Sequence, residues 1–153
     1  MNGRLIWTKI NPDAYQGFLA AVRSTTSLDR RLKNLLDVRV SQINGCAFCL
    51  EMHTREAREA GETQSRLDCL SGWRDMPAFT AKERAALAWA EALTRISESH
   101  APDELYDELR QHFSEREIVD LTVSVTVINS WNRLQIAMRI PPRERKEQPG
   151  APG

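Results

Sequence analysis

Two short patterns, Thr80-Ala-Lys-Glu83 and Ser114-Glu-Arg-Glu117, commit the second half of the chain to helix. In each, a hydroxyl can accept from the backbone N–H three residues on, while the Glu reaches back to the first N–H. That reciprocal cap marks a helix start. The first opens a stretch whose core side is Ala85, Trp89, Leu93 and Ile96. The second opens an ambiguous segment. In DLTVSVTVINSW, Leu121, Val123, Val125 and Val127 alternate with Thr and Ser, which is the period of a strand. β-Branched residues also lower helix propensity. A helix is still expected. A cap precedes the segment, the apolar pattern runs on to Leu134, Ile136 and Met138, and no second strand-like segment exists to pair with it. A helix apolar on most sides is a central, buried one.

The rest reads as helix too. Asn11-Pro12 is an N-cap with Pro at the first helical position, followed by an amphipathic face of Tyr15, Phe18, Leu19 and Val22. A second helix is expected from Ser27, burying Leu32, Leu35, Leu36, Val40 and Ile43 and interrupted at Asn44-Gly45. A third runs from about Cys46 to Ala60 and stops at Gly61. Thr63 to about Trp73 is a shorter piece, and Pro102 starts a short helix with Leu105 and Leu109. The fold class is therefore all-α, a helix bundle with a CxxC at the N-terminus of a central helix. One domain spans residues 1–141, and residues 142–153 form a polar tail. A chain of 153 residues suits a single core.

Acidic and basic residues balance at 21 each, so nothing points to nucleic acid or an acidic membrane surface as a partner. No apolar run approaches the roughly 18 residues of a membrane span. The opening MNGRLIWTKINP lacks the apolar region of a signal peptide. The expected location is cytoplasmic, where thiols stay reduced. A close cysteine pair then suggests catalysis or metal binding.

Such a pair lies in INGCAFCLEMHTREAREAG. On a helix, Cys49 and His53 are four residues apart and share a face, with Cys46 in the first turn. Unpaired N–H groups and the helix dipole lower a thiol pKa there, and His53 can accept or relay a proton. A thiolate attacks a peroxide oxygen to give a sulfenic acid, and a second thiol condenses with it to a disulfide. By position alone Cys46, nearer the helix terminus, is a candidate nucleophile. A bland alternative makes both cysteines small core residues. A zinc alternative adds Cys69 to Cys46, Cys49 and His53, yet Cys69 stands alone in RLDCLSGW, where it fits an apolar face with Leu67 and Leu70. No metal is expected.

The stretch VRVSQINGCAFCLEMHTREAREAGE resembles the core motif of the AhpD-like alkylhydroperoxidases of the carboxymuconolactone decarboxylase superfamily. RLDCLSGWRD and INSWNRLQIAMR resemble the peroxidase-related branch, and the likeness runs from about Pro12 to Pro141. It implies an all-α AhpD-like fold and thiol-dependent peroxide reduction. Cys49 would be the peroxidatic cysteine, Cys46 the resolving one, and His53 part of the proton relay. It further implies no bound cofactor, an external thiol or dithiol electron donor, and a homo-oligomer, a hexamer or trimer of dimers. One departure matters. The family's relay Glu lies twelve residues before the first Cys, where this chain has Asn34. An amide cannot accept and return a proton as a carboxylate can, which implies slower turnover. Asp37, one turn on and about 60° around the helix, is a possible substitute. Phe48 stands where some members carry a His. The decarboxylase branch does not rely on the CxxC pair, so an intact pair argues against lactone decarboxylation.

Two runner-up functions are a general disulfide oxidoreductase and a non-catalytic oligomeric redox sensor or zinc-binding protein. Asn129, Trp131, Asn132 and Arg133 are expected to satisfy buried backbone ends and subunit contacts. His100 and His112 read as structural, and Trp7, Trp73 and Trp89 as core or interface residues.

Overall fold

The computed structural model describes residues 3–142. Its elements are α1 (Trp7–Ile10), α2 (Pro12–Ser24), α3 (Arg30–Asn44), α4 (Ala47–Glu59), α5 (Gln64–Asp68), α6 (Ala81–Thr94), α7 (Ile96–Ser99), α8 (Asp103–His112) and α9 (Glu115–Ala137), with a 3-10 turn at Leu70–Gly72. No strand occurs among the described residues. None of their helices is long and apolar enough to cross a membrane.

Both capping boxes form, Thr80 with Glu83 and Ser114 with Glu117. The strand-like alternation resolves as one helix of 23 residues. Its hydroxyls show how the pattern is accommodated. Thr122 and Thr126 each donate to the carbonyl four residues back at 2.8 Å, and Ser130 does so at 3.0 Å. Small polar groups bonded to their own helix leave the intervening valines free to pack. Thr122 also accepts from the Trp89 indole at 3.0 Å, tying α9 to α6.

α3, α6 and α9 pack on one another and form the core. Leu35, Leu36, Val40, Leu87, Leu121 and Val125 are all but sealed from solvent. Each such side chain contributes about 1.5–3 kcal/mol through burial. α4 lies against α3 and α9, and α8 covers α6. Glu91 of α6 accepts from Arg39 of α3, from Arg74 and from the Trp73 indole, locking the turn after α5 onto the core. α2 buries no residue completely. It attaches through an aromatic cluster in which Trp131 lies 5.3 Å from Trp7, 5.8 Å from Tyr15 and 5.4 Å from Phe18.

Several boundaries differ from the sequence expectations for identifiable reasons. The second long helix starts at Arg30, because Asp29 caps it by accepting from the Leu32 N–H. Ser27 is held instead by Asp120, through both its N–H and its hydroxyl. Pro102 is the N-cap of α8 rather than its first residue. Ile96 is exposed, since α6 ends at Thr94 and the chain changes direction there. Cys69 caps the end of α5 and is exposed, so it does not share the buried face of Leu67 and Leu70. Gly61 does end α4: with φ +90°, it donates to Arg58 while Glu62 donates to Ala57, closing the last carbonyls. The polar tail lies outside the described residues from 143 onward.

Leu36→Ala should destabilise the protein by about 2–5 kcal/mol, the range for a sealed leucine whose cavity cannot collapse. Urea unfolding checks this: the midpoint should fall with the slope unchanged. A loss under about 1 kcal/mol would mean that α3 is not where the core is anchored.

Candidate active site

The cysteine pair is positioned by a two-residue junction. α3 ends at Gly45, whose φ of +70° is a conformation that a side chain resists. Gly45 donates to the Gln42 carbonyl and Cys46 to the Ser41 carbonyl, fastening the Cys46 backbone to the end of α3. Cys46 is then the N-cap of α4, one residue before the helix proper, and its sulfur accepts from the Cys49 N–H at 3.4 Å. Both thiols are free and buried at 1% exposure.

Their electrostatics are unequal. The Cys49 thiol donates to Cys46, which lowers Cys46 to about 7. Burial opposes this, while the Cys49 and Phe48 N–H groups and the charge of His53 support it. Cys49 is raised by the same shared proton, by burial and by the charge on Cys46, and the Asn132 amide acts in the opposite direction. Of the two thiols, Cys46 is therefore the one that ionises first. Asn132 is completely buried and aimed by neighbours: it donates to Ser41 Oγ at 3.1 Å and accepts from Asn44 at 2.8 Å. Asn44 also donates to Asn129, whose own amide reaches Thr94 and the Val125 carbonyl. Arg133, exposed, closes over Asn129. The polar cluster of α9 is thus mainly a satisfied internal network, and Asn132 extends it to the cysteines.

His53 sits one turn beyond Cys49 and is flanked by two carboxylates. Its Nδ1 lies 3.1 Å from Glu56 Oε2 and 3.7 Å from Asp37 Oδ2. Burial alone would lower its pKa, yet Asp37 and Glu56 outweigh burial and raise it. Asp37 is raised to about 6, chiefly by burial, against the opposing charges of His53 and Lys33. Glu56 is held below the usual range by its hydrogen bond to His53. Asn34 is buried nearby but does not touch the imidazole; its amide donates to the Glu56 carbonyl at 3.1 Å. Asp37 is thus brought to the histidine, as its place on α3 allowed. Glu56 was overlooked in the sequence, although His and Glu three residues apart share a helix face. Glu51 points away toward Arg55. Among the described residues, no three His, Cys, Asp or Glu side chains are grouped to hold a metal ion.

A cavity of about 780 Å³ adjoins this group. Lys33, Asn34, Asp37, His53 and Glu56 are among its polar lining residues, and Leu19, Phe48, Met52, Ile128 and Trp131 are among its apolar ones. That size and character suit a small organic molecule.

An all-α fold carrying a buried CxxC and a carboxylate-flanked histidine beside a cavity defines a class of thiol-bearing helical proteins. The comparisons specify it. The carboxymuconolactone decarboxylase family pattern matches residues 11–92. The chain belongs to that family. It is 41% identical over 140 residues to the uncharacterized protein YdfG of Bacillus subtilis, covering 90% of this chain and 95% of that one. It superposes with a TM-score of 0.89 and 39% identity on a crystal structure from Agrobacterium tumefaciens, described as a protein of unknown function and candidate antioxidant defence protein AhpD; the match covers 94% of this chain and all of that one. A peroxidase-related protein from Silicibacter matches with a TM-score of 0.77 and 26% identity, over 87% of this chain and 72% of that one. The AhpD-like fold expected from the sequence is the fold observed.

Asp37 carries a stability consequence. Its folded carboxyl titrates near 6, against about 3.9 in an unfolded chain. Between those values the folded protein holds a proton that the unfolded chain releases, so stability falls as pH rises through the window and stays lower above it. Asp37→Asn should therefore be more stable than the wild type at about pH 8, by about 1–3 kcal/mol, with the difference gone by about pH 4. Urea unfolding across that pH range tests this, and equal stability at alkaline pH would refute it.

Proposed function

We propose that this protein is a thiol-dependent peroxidase that reduces peroxides through a Cys46–Cys49 dithiol–disulfide cycle. What supports the reading is the arrangement at the helix N-terminus: Cys46 caps α4, its sulfur accepts from the Cys49 N–H at 3.4 Å, and the neighbouring Cys49 thiol helps to lower it to about 7.

A one-proton shift between the two sulfurs moves the charge from Cys46 to Cys49, where the Asn132 amide supports it. The Cys49 thiolate attacks the terminal oxygen of the hydroperoxide. The O–O bond breaks, Cys49 becomes a sulfenic acid, and the departing alkoxide takes a proton supplied through His53 to leave as an alcohol. Cys46 gives up the proton it received, passing it through His53 to the alkoxide, and as thiolate attacks the sulfenic sulfur. The S–S bond forms and hydroxide leaves, taking a proton to become water. The two electrons come from the dithiol. An external thiol or dithiol returns them, so no bound cofactor is required. The burial of both sulfurs favours a small oxidant over a protein disulfide, and that weighs against a general disulfide oxidoreductase. We further propose that the protein acts in the cytoplasm as a homo-oligomer, in keeping with the resemblance of its motif.

The test is mass spectrometry of the reduced protein before and after one equivalent of tert-butyl hydroperoxide. A rapid loss of two hydrogens mapped to Cys46–Cys49 is expected, abolished in Cys49→Ser. In Cys46→Ser, a sulfenic acid should be trapped on Cys49 by dimedone. Thiols that stay free, or overoxidise slowly without pairing, would overturn the peroxidase reading. Trapping confined to Cys46 in Cys49→Ser would reverse the order of the two sulfurs.

A further inference from the structure

We propose that Phe48, with Met52 one turn on, is the gate through which a molecule held in the cavity reaches the cysteine pair, and that its ring sets how bulky a hydroperoxide can react. This rests on the thiol chemistry proposed above and deepens it. The gate itself is testable with alkylating reagents, apart from any peroxide.

Both sulfurs are shut away twice. Each cysteine is 1% exposed, and neither lines the cavity. Phe48, Met52 and His53, from the same helix, do line it. Helix geometry shows how near the two come. Cys49 points between Met52 and His53, about 60° from one and about 40° from the other, and sits one turn closer to the helix start. The cavity therefore stops about one side chain short of the sulfur. Phe48 lies between the cysteines in sequence and shares a stripe of α4 with Met52, four residues on. That stripe stands where a molecule leaving the cavity for Cys49 has to pass.

The other neighbours of the pair are tied down. Asn132 reaches Cys49 from α9 while bonded to Ser41 and Asn44, and the Cys46 N–H is fastened to the Ser41 carbonyl. His53 is held by Glu56 at 3.1 Å. Phe48 and Met52 are half-buried and are not held in this way. Phe48 has no polar atom to anchor it, and the unbranched Met52 side chain turns about three bonds. Among the described residues no other ring packs on Phe48, whereas Trp7, Tyr15, Phe18 and Trp131 lock one another. The free ring is the part that can swing.

The cavity decides what arrives at the gate. Its wall is mostly apolar, and its two carboxylates, Asp37 and Glu56, would repel an anion. Lys33 is turned to the Val22 carbonyl at 3.1 Å and the Thr25 hydroxyl at 2.8 Å. The wall thus favours an uncharged molecule, whose apolar body gains affinity from burial while its hydroperoxide end passes the ring. A slender end needs a small displacement of Phe48, and a bulky one a large displacement. A ring with no titratable group at this place can exclude but cannot carry a proton.

The test compares Phe48→Ala, Phe48→Leu and Phe48→Trp in a Cys69→Ser background, which leaves Cys46 and Cys49 as the reactive thiols. Circular dichroism and urea unfolding check folding. Each reduced protein is alkylated with N-methylmaleimide and with the bulkier N-phenylmaleimide, and the two rates are taken as a ratio. A change in thiol ionisation moves both rates together and leaves the ratio unchanged. The ratio of bulky to small should rise several-fold in Phe48→Ala, rise less in Phe48→Leu and fall in Phe48→Trp. In the Cys69→Ser parent, 2-phenyl-2-propanol, an uncharged apolar alcohol, should slow the bulky reagent by occupying the cavity. A ratio that does not follow the size of residue 48, or thiols that the alcohol does not protect, would overturn the proposal. If Phe48→Ala fails to fold, the leucine and tryptophan variants still decide the order. Oxidation by cumene hydroperoxide relative to hydrogen peroxide should follow the same order. If neither peroxide oxidises the parent, the peroxidase reading falls, while the alkylation ratios still decide the gate.

Discussion

Everything at the site depends on the turn between α3 and α4. Gly45 reverses the chain in a left-handed conformation, and Cys46 is bound at once to the end of one helix by its backbone and to the start of the next by its sulfur. That single residue fixes the angle at which α4 leaves α3. It therefore sets where His53 meets Asp37, since one comes from each helix. The amide network of Ser41, Asn44, Asn129 and Asn132 braces the same corner from α9. Helix geometry and thiol chemistry are consequently one problem here, because the group that caps the helix is also a group that reacts.

The surroundings divide polar burial into two kinds. Around Glu62, Glu91 and Asp120, charge is neutralised by dense hydrogen bonding and serves to lock segments together. Around Asp37 and His53, charge is left poised beside a cavity. The first kind makes the scaffold rigid enough to sustain the second, which the fold would otherwise relax by rotating a side chain into solvent.

Much of this was legible in the residues. The two capping boxes and the glycine after α4 marked helix ends correctly, because those signals are local hydrogen bonds that need no tertiary context. The strand-like run of α9 was readable as helix only by length and lack of partners. What decides it physically, hydroxyls bonded to their own helix and a Trp89 indole on Thr122, is tertiary detail. Ser27 was misjudged as a helix start since its real partner, Asp120, is far away in the chain. The cysteines and histidine were visible from spacing. Asp37 was visible only as a residue one turn from the expected place, and Glu56 not at all, because which carboxylate meets a histidine depends on how two helices cross.

The sulfur cap at Cys46 has a consequence for redox poise. In the reduced protein its charge is stabilised by the first-turn N–H groups of α4. Formation of a disulfide would neutralise that sulfur and forfeit the stabilisation, so the helix end itself favours the dithiol. Whatever a cap of this kind contributes makes the disulfide a stronger oxidant, by about 30 mV for each 1.4 kcal/mol. The pair is thus biased toward being reset by a weak reductant, leaving the strong driving force of peroxide cleavage to carry the oxidation.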